Sequence, residues 1–224
     1  MLDADSSHLT TFSTPFGRFR FLRLPFGCNV SSEIFQKKLY EAIGDLPGVL
    51  CVADDIMLYG VGTTEIDAMA DHDKKLMSLL QRCEEIGIRL NKEKVALRQK
   101  SLSFLGHLVT SDGLKPDPEK VRAIDDMPIP QDVAGVQRLN GFVNYLAKFL
   151  PGLSDAMEPI RQLTRQDVPW NWGPVQQAAF DKVKELVKEA PCLKYFNSDR
   201  PLVVQCDASE KGLGAALLQD GHPI

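Results

Sequence analysis

Residues 49–60 read Val49-Leu50-Cys51-Val52-Ala53-Asp54-Asp55-Ile56-Met57-Leu58-Tyr59-Gly60. Two short apolar runs, 49–52 and 56–59, flank Ala53-Asp54-Asp55 and are bounded by Gly48 and Gly60. Runs this short, closed by glycines, favour a strand, a turn and a second strand over a helix. On a regular strand neighbouring residues point to opposite faces. At a tight turn they need not, so both carboxylates can be presented near one point. Two hard oxygen donors on a rigid hairpin suit Mg²⁺, with Mn²⁺ as a substitute, because Mg²⁺ takes carboxylates together with waters and substrate phosphates. A pair of such ions about 3.5–4 Å apart stabilises the attacking and leaving oxygens of nucleotidyl transfer. The plainer alternative is that aspartates stand here only because aspartate favours turns.

Upstream of this unit, residues 44–48 form a connector. Residues 29–43 read as a helix with Ile34, Phe35, Leu39 and Ile43 on its apolar side. Residues 18–24 alternate like a half-buried strand and end at Pro25-Phe26-Gly27. Downstream, Glu65–Ile86 spaces Ile66, Met69, Leu76, Leu79, Leu80, Cys83 and Ile86 at helical intervals, and Gly87 is a helix stop. Two strands are expected around Lys92-Glu93-Lys94, and one over residues 101–110 before the turn Ser111-Asp112-Gly113. Asp117-Pro118 starts a helix, aspartate as cap and proline at the first position. Asp132 opens another, with Leu139, Phe142, Val143, Leu146 and Phe149 sharing a face as far as Pro151-Gly152. A helix over 153–163, one from Pro174 to near Ala190, and a hairpin of 202–207 with 214–218 complete the chain. The whole is an α/β (α+β) pattern.

The 224 residues allow one to two domains, and 44% hydrophobic with 25% charged residues is ordinary for a globular protein. No apolar run is long enough for a membrane helix, and the acidic start Met1-Leu2-Asp3-Ala4-Asp5 is no signal peptide. Five scattered cysteines, none at CxxC spacing, read as reduced thiols of an intracellular protein, cytoplasmic or nuclear. The net charge of −4 argues against a basic surface over the whole protein but not against a local basic groove. Arg89, Lys92, Lys94, Arg98 and Lys100 form a local cluster that either steers phosphates or is simply solvated.

The ordered series of motifs resembles the reverse transcriptase of gypsy-type long-terminal-repeat retrotransposons. Val52-Ala53-Asp54-Asp55 resembles the family's YxDD box, with valine where tyrosine is usual. Leu24-Pro25-Phe26-Gly27 followed by Phe35-Gln36 resembles the palm motif before it, and Phe104-Leu105-Gly106-His107 the primer grip. Residues 114–120, Asn144-Tyr145 and Phe149 resemble the thumb; Trp172, Gln177, Phe180 and Ala190-Pro191 the connection; Asp207-Ala208-Ser209 with Gly212 and Gly214 the first strands of a ribonuclease H domain.

The resemblance implies a partial polymerase palm over 1–110, a helical thumb over 111–165, and a connection with the first part of a ribonuclease H-like module over 166–224. It implies RNA-directed DNA polymerisation, with an RNA or DNA template–primer and dNTP as partners. Asp54 and Asp55 are then metal ligands, Gly27, Phe35, Gln36, Lys94 and Gly106 substrate-binding residues, and Asp207 the first ribonuclease H carboxylate. The family's third polymerase carboxylate would precede Met1, so the chain is expected to be cut at both ends, and activity of these residues alone stays open. The rival reading is an inactive retroelement remnant that binds nucleic acid or protein without chemistry. For single residues the plainer roles are core packing for Phe35, a turn for Gly27, solvation for Lys94, a structural hydrogen bond for His107 and packing anchors for Trp170 and Trp172. The oligomeric state is not legible, and no membrane partner is implied.

Overall fold

The computed structural model describes residues 1–209 and 212–224, with side chains described outside 207–213. It has the mixed helix and strand composition expected of the α/β (α+β) class. Its residues group into two compact units, Met1–Arg98 and Gln99–Ile224.

In the first unit, helix α1 (Ala4–Leu9) is capped by Asp3, whose carboxylate accepts from the Ser6 amide at 2.8 Å. Strands β1 (Phe12–Thr14) and β2 (Gly17–Phe19) form an isolated antiparallel pair. The half-buried strand expected over 18–24 is therefore corrected: β2 ends at Phe19, and residues 17–23 are exposed. A two-stranded ribbon with no covering layer has nothing to bury the alternate residues against.

Helix α2 (Ser31–Ile43) buries Leu39 and Ile43, while Ile34 and Phe35 of the expected apolar side stay exposed. Strands β3 (Val49–Val52) and β4 (Asp55–Leu58) pair Val49 with Leu58 through Val52 with Asp55, leaving Ala53-Asp54 as a two-residue turn. Helix α3 (Glu65–Ile86) has the expected bounds. Thr64 caps it reciprocally with Asp67, and Gly87 closes it at φ 75°, the left-handed conformation that glycine adopts without penalty. Leu39, Ile43, Val49, Cys51, Leu79 and Cys83 form the core of this unit. Arg82 ties α3 to the end of α2, donating to the Ala42 carbonyl at 2.9 Å and pairing with Asp45 at 3.0 Å. The two strands expected around Lys92-Glu93-Lys94 are not formed. Those residues make one 3-10 turn, capped by the Asn91 side chain and wholly exposed, so no sheet or core selects a strand there.

The second unit begins with a three-stranded sheet, β5 (Ser101–Phe104), β6 (His107–Thr110) and β7 (Gly113–Pro116). The single strand expected over 101–110 is thus a hairpin. Leu105 (φ 49°) and Gly106 (φ 67°) turn the chain with positive φ at both central residues, as a type I′ turn requires.

Four helices follow: α4 (Pro118–Asp125), α5 (Val133–Tyr145), α6 (Leu153–Arg161) and α7 (Pro174–Lys188). Asp117 and Asp132 cap the first two as expected, accepting from Glu119 N at 2.8 Å and Gly135 N at 2.6 Å. One core runs through all four, including Ile124, Leu139, Val143, Phe149, Met157, Phe180 and Val183. Phe142 departs from the expected shared face, at 42% exposure. Strands β8 (Val203–Ser209), β9 (Gly212–Gln219) and β10 (His222–Pro223) close the chain as a sheet ordered β10-β9-β8, one strand more than the expected hairpin. The unit boundary after Arg98 differs from the segment border at 110, because β5 and β6 share a sheet with β7.

Candidate functional site

The Ala53–Asp54 turn follows from its register. Val52 faces Asp55, so the chain must reverse within two residues. Ala53 has φ 54°, while Asp54 is not among the positive-φ residues. Positive φ at only the first central position is the pattern of a type II′ turn, which normally selects glycine there. Asp54 and Asp55 are both exposed. Among the described residues, no hydrogen bond or ion pair engages either carboxylate. Aspartates placed for turn chemistry accept a backbone N–H within two or three residues, and these two do not.

The turn is braced from the side and at its far end. Gln36 of α2 donates from Nε2 to the Cys51 carbonyl at 3.0 Å, and its Oε1 accepts from the Ala53 amide. At the open end, Tyr59 N donates to the Gly48 carbonyl at 3.0 Å. Lys75 of α3 donates to Tyr59 O at 3.3 Å and pairs with Asp71 at 2.6 Å, while Asp71 also accepts from Val61 N at 2.8 Å. The Lys75 ammonium, with the Val61 amide, holds the Asp71 carboxyl below the usual carboxylate range.

The other expected site residues divide. Gly27 sits at φ 86°, a conformation that calls for glycine, and no atom of the described residues lies within 4 Å of where a Cβ would be. Phe35 is 53% exposed on α2. Lys94 lies exposed on the 3-10 turn. Arg98, from the same basic cluster, is engaged by Asp73. Gly106 is in a packed place: a Cβ there would come within 2.6 Å of Tyr145 Oη. Asp207 lies on β8 opposite Gly214, and its side chain is outside the described residues.

Around Gly106 His107 makes the structural hydrogen bond expected of it, and Tyr145 joins it in a knot that the sequence did not announce. The Tyr145 hydroxyl and His107 Nδ1 both donate to the Leu105 carbonyl, the latter at 2.8 Å. The His107 ring lies 5.2 Å from that of Tyr145 and 5.7 Å from that of Phe149. Its Nε2 is buried without a partner among the described residues. Burial pushes the imidazole below its usual range, against the pull of the Leu105 carbonyl. Trp172 packs its edge on Phe180 at 5.9 Å and donates to Gln177 Oε1 at 3.2 Å, as a packing anchor should.

Two exposed, unengaged carboxylates fit a hard divalent cation, which needs oxygen donors and completes its shell with water or phosphate. No group of three or more potential ligands occurs among the described residues.

Two families, both of reverse transcriptase domains, match parts of the chain. Residues 1–109 match the family described as reverse transcriptase (RNA-dependent DNA polymerase), and residues 172–223 match the RNase H-like domain found in reverse transcriptase. Its relatives place it among retrotransposon Pol polyproteins. It is 31% identical, over all of its length, to the retrovirus-related Pol polyprotein from transposon 297 of Drosophila melanogaster, covering 21% of that protein. To that from transposon gypsy of the same organism it is 30% identical over 96% of the chain and 22% of the relative. To the transposon Tf2-3 polyprotein of Schizosaccharomyces pombe it is 28% identical over 95% of the chain and 16% of the relative. The chain thus spans about a fifth of the length of the curated relatives it matches. The fold matches a foamy viral protease-reverse transcriptase solved with ds DNA, at TM-score 0.85 and 23% identity, over 99% of this chain and 39% of that one. The same viral protein with RNA/DNA hybrid matches at TM-score 0.84 and 23% identity, over 100% and 30%. No helix among the described residues is long and apolar enough to cross a membrane.

Proposed function

We propose that this chain supplies the metal-binding hairpin and adjoining nucleic-acid surface of a retrotransposon's RNA-directed DNA polymerase, followed by a ribonuclease H-like segment. In this reading residues 1–110 serve as palm, 111–165 as thumb, and 166–224 as connection and the opening of the ribonuclease H-like module. The observation that carries it is the pair of exposed carboxylates, Asp54 and Asp55, on a hairpin braced at both ends and taken by no partner among the described residues. Aspartates kept only for the turn would be hydrogen-bonded to it.

Asp54 and Asp55 would hold Mg²⁺, or Mn²⁺ in its place. When bound, such an ion neutralises charge developing on the reacting phosphate. The chain's own residues have simpler tasks. Gly27 leaves room for a substrate to approach the backbone, and Phe35 offers a half-exposed ring to a base or sugar. Lys94 offers a positive charge to nucleotide phosphates. Gly106 acts indirectly, by letting the hairpin of the primer-grip segment close against Tyr145. Asp207 would be the first ribonuclease H carboxylate. The partners are a template–primer duplex and dNTP, in line with the duplexes named for the foamy viral structures. Five free cysteines suit a reducing, intracellular compartment.

Primer extension by the Pol protein that carries this sequence tests the reading. Asp54→Asn should lower it by more than about a hundredfold, beyond the 10–100-fold that loss of an outer-shell partner costs. Extension that survives the substitution would remove Asp54 as a metal ligand, whereas no extension by the unsubstituted protein would leave the rival reading, a nucleic-acid binding module without chemistry.

A further inference from the structure

The outer edge of β3 is open beside the turn. The ladder pairs Cys51 with Ile56 and Val52 with Asp55, so the groups of Val52 are used within the hairpin. The Cys51 carbonyl and the Ala53 amide point the other way. In a larger sheet a third strand would pair with them. Here a single side chain does: Gln36 Nε2 meets the carbonyl at 3.0 Å and Gln36 Oε1 meets the amide. Only a planar amide offers donor and acceptor side by side at that spacing, and the opposite flip would set oxygen against oxygen and N–H against N–H.

We infer that Gln36 is a positioning residue for the carboxylate pair, its amide standing in for a third strand that fixes the backbone on which Asp54 and Asp55 are mounted. This rests on the metal reading of those aspartates, and it changes the role expected of Gln36 from touching substrate to holding the site. The clamp is anchored, because Leu39 and Ile43 of the same helix are buried in the core that contains Cys51. It acts at one point of the turn, the Ala53 amide, in a residue whose φ of 54° is unfavourable for alanine. Without Gln36 nothing else among the described residues bonds that amide, and the turn is free to relax to other two-residue geometries. The carboxylates would then be presented over a range of positions instead of one.

Amide exchange and Mn²⁺ titration on the ¹⁵N-labelled 224-residue chain test this in four forms: unsubstituted, Gln36→Met, Gln36→Glu and Asp54→Asn. Methionine fills the same space without hydrogen bonds. The Ala53 amide should then exchange about tenfold faster, the loss of roughly one hydrogen bond, while Leu79 in the core stays protected. Mn²⁺ affinity should fall about fivefold for the same reason. Glutamate keeps one oxygen facing Ala53 but sets the other against the Cys51 carbonyl, so the Ala53 amide in Gln36→Glu should exchange more slowly than in Gln36→Met without full protection. A role in packing alone would not separate these two variants. Unchanged Ala53 exchange in Gln36→Met overturns the inference, as does Ala53 exchange in Gln36→Glu that is no slower than in Gln36→Met, and so does a turn that opens with no change in Mn²⁺ affinity. Should Gln36→Met lose Leu79 protection as well, Gln36→Glu decides. The Asp54→Asn arm keeps the two readings apart: Mn²⁺ binding that ignores it defeats the metal reading, whereas Ala53 exchange still judges the clamp.

Discussion

Two hairpins of the same dimensions lie in different units, and they use the same local fold in opposite ways. Each has four-residue strands and a two-residue turn, β3–β4 around Ala53-Asp54 and β5–β6 around Leu105-Gly106. The second turn is packed through its backbone, while the Leu105 side chain is 45% exposed. Its Leu105 carbonyl accepts from Tyr145 and His107, and its glycine lies under the tyrosine ring. The first turn faces outward, exposes two carboxylates, and is held from the flank by Gln36. A turn that serves packing satisfies its own polar groups; a turn that serves presentation leaves them free and borrows rigidity from a neighbour. That difference separates the hairpins far better than their sequences do.

The comparison can be broken most severely at Phe149, which lies fully buried behind His107. Phe149→Ala should destabilise the second unit by about 3–5 kcal/mol. Trp170 and Trp172 are the chain's two tryptophans and both lie in that unit, so their fluorescence in a denaturant titration reads it directly. Gly106→Val should cost about 2–3 kcal/mol by the same readout, since it adds a branched side chain at φ 67° and against Tyr145 Oη. A loss under half of that would mean that the turn is not packed as described.

A smaller effect is pH-dependent. The folded-state imidazole of His107 is held below its usual range by burial, so the unfolded chain binds its proton more readily. The second unit should therefore lose stability as pH falls from about 6.5 towards 5, a window above the titration of ordinary aspartates near 4. His107→Gln should flatten the tryptophan-monitored denaturation midpoint across that window; an unchanged slope would remove His107 as its source. The smallest effect belongs to the outward turn. Ala53→Gly relieves a left-handed alanine costing about 1–2 kcal/mol but returns about 0.4–1 kcal/mol of chain entropy to the unfolded state. The net gain should fall between about 0 and 1.6 kcal/mol, read by hydrogen exchange at Leu79 and Cys83; a destabilisation would show that the alanine methyl is needed.

Much of this was legible in the chain. The β3–β4 hairpin and α3 announce themselves, the first by Gly48, Gly60 and the acidic interruption, the second by its apolar spacing from Ile66 to Ile86 and by Gly87. The hairpin over 101–110 was hidden because leucine at 105 carries no preference for positive φ, and only Gly106 hinted at a turn. Asp220-Gly221 is a strong hairpin dipeptide and does open β10, at φ 51° and 76°. The strands expected near Lys94 and over 18–24 failed because alternation in sequence does not create a partner to bury it against. Of the site, the aspartates could be named from sequence. The Gln36 clamp and the Tyr145–His107 knot could not, since each joins residues far apart in the chain through one side chain.

On the metal reading, a divalent ion binds at the Asp54–Asp55 turn and none at the Leu105–Gly106 turn. Paramagnetic broadening by substoichiometric Mn²⁺, mapped on the amide spectrum of the 224-residue chain, compares the two turns in one experiment. Broadening should be centred on residues 53–56, be abolished in Asp54→Asn with Asp55→Asn, and be absent at Leu105 and Gly106. Broadening that is centred elsewhere, or that persists when both carboxylates are removed, would contradict it.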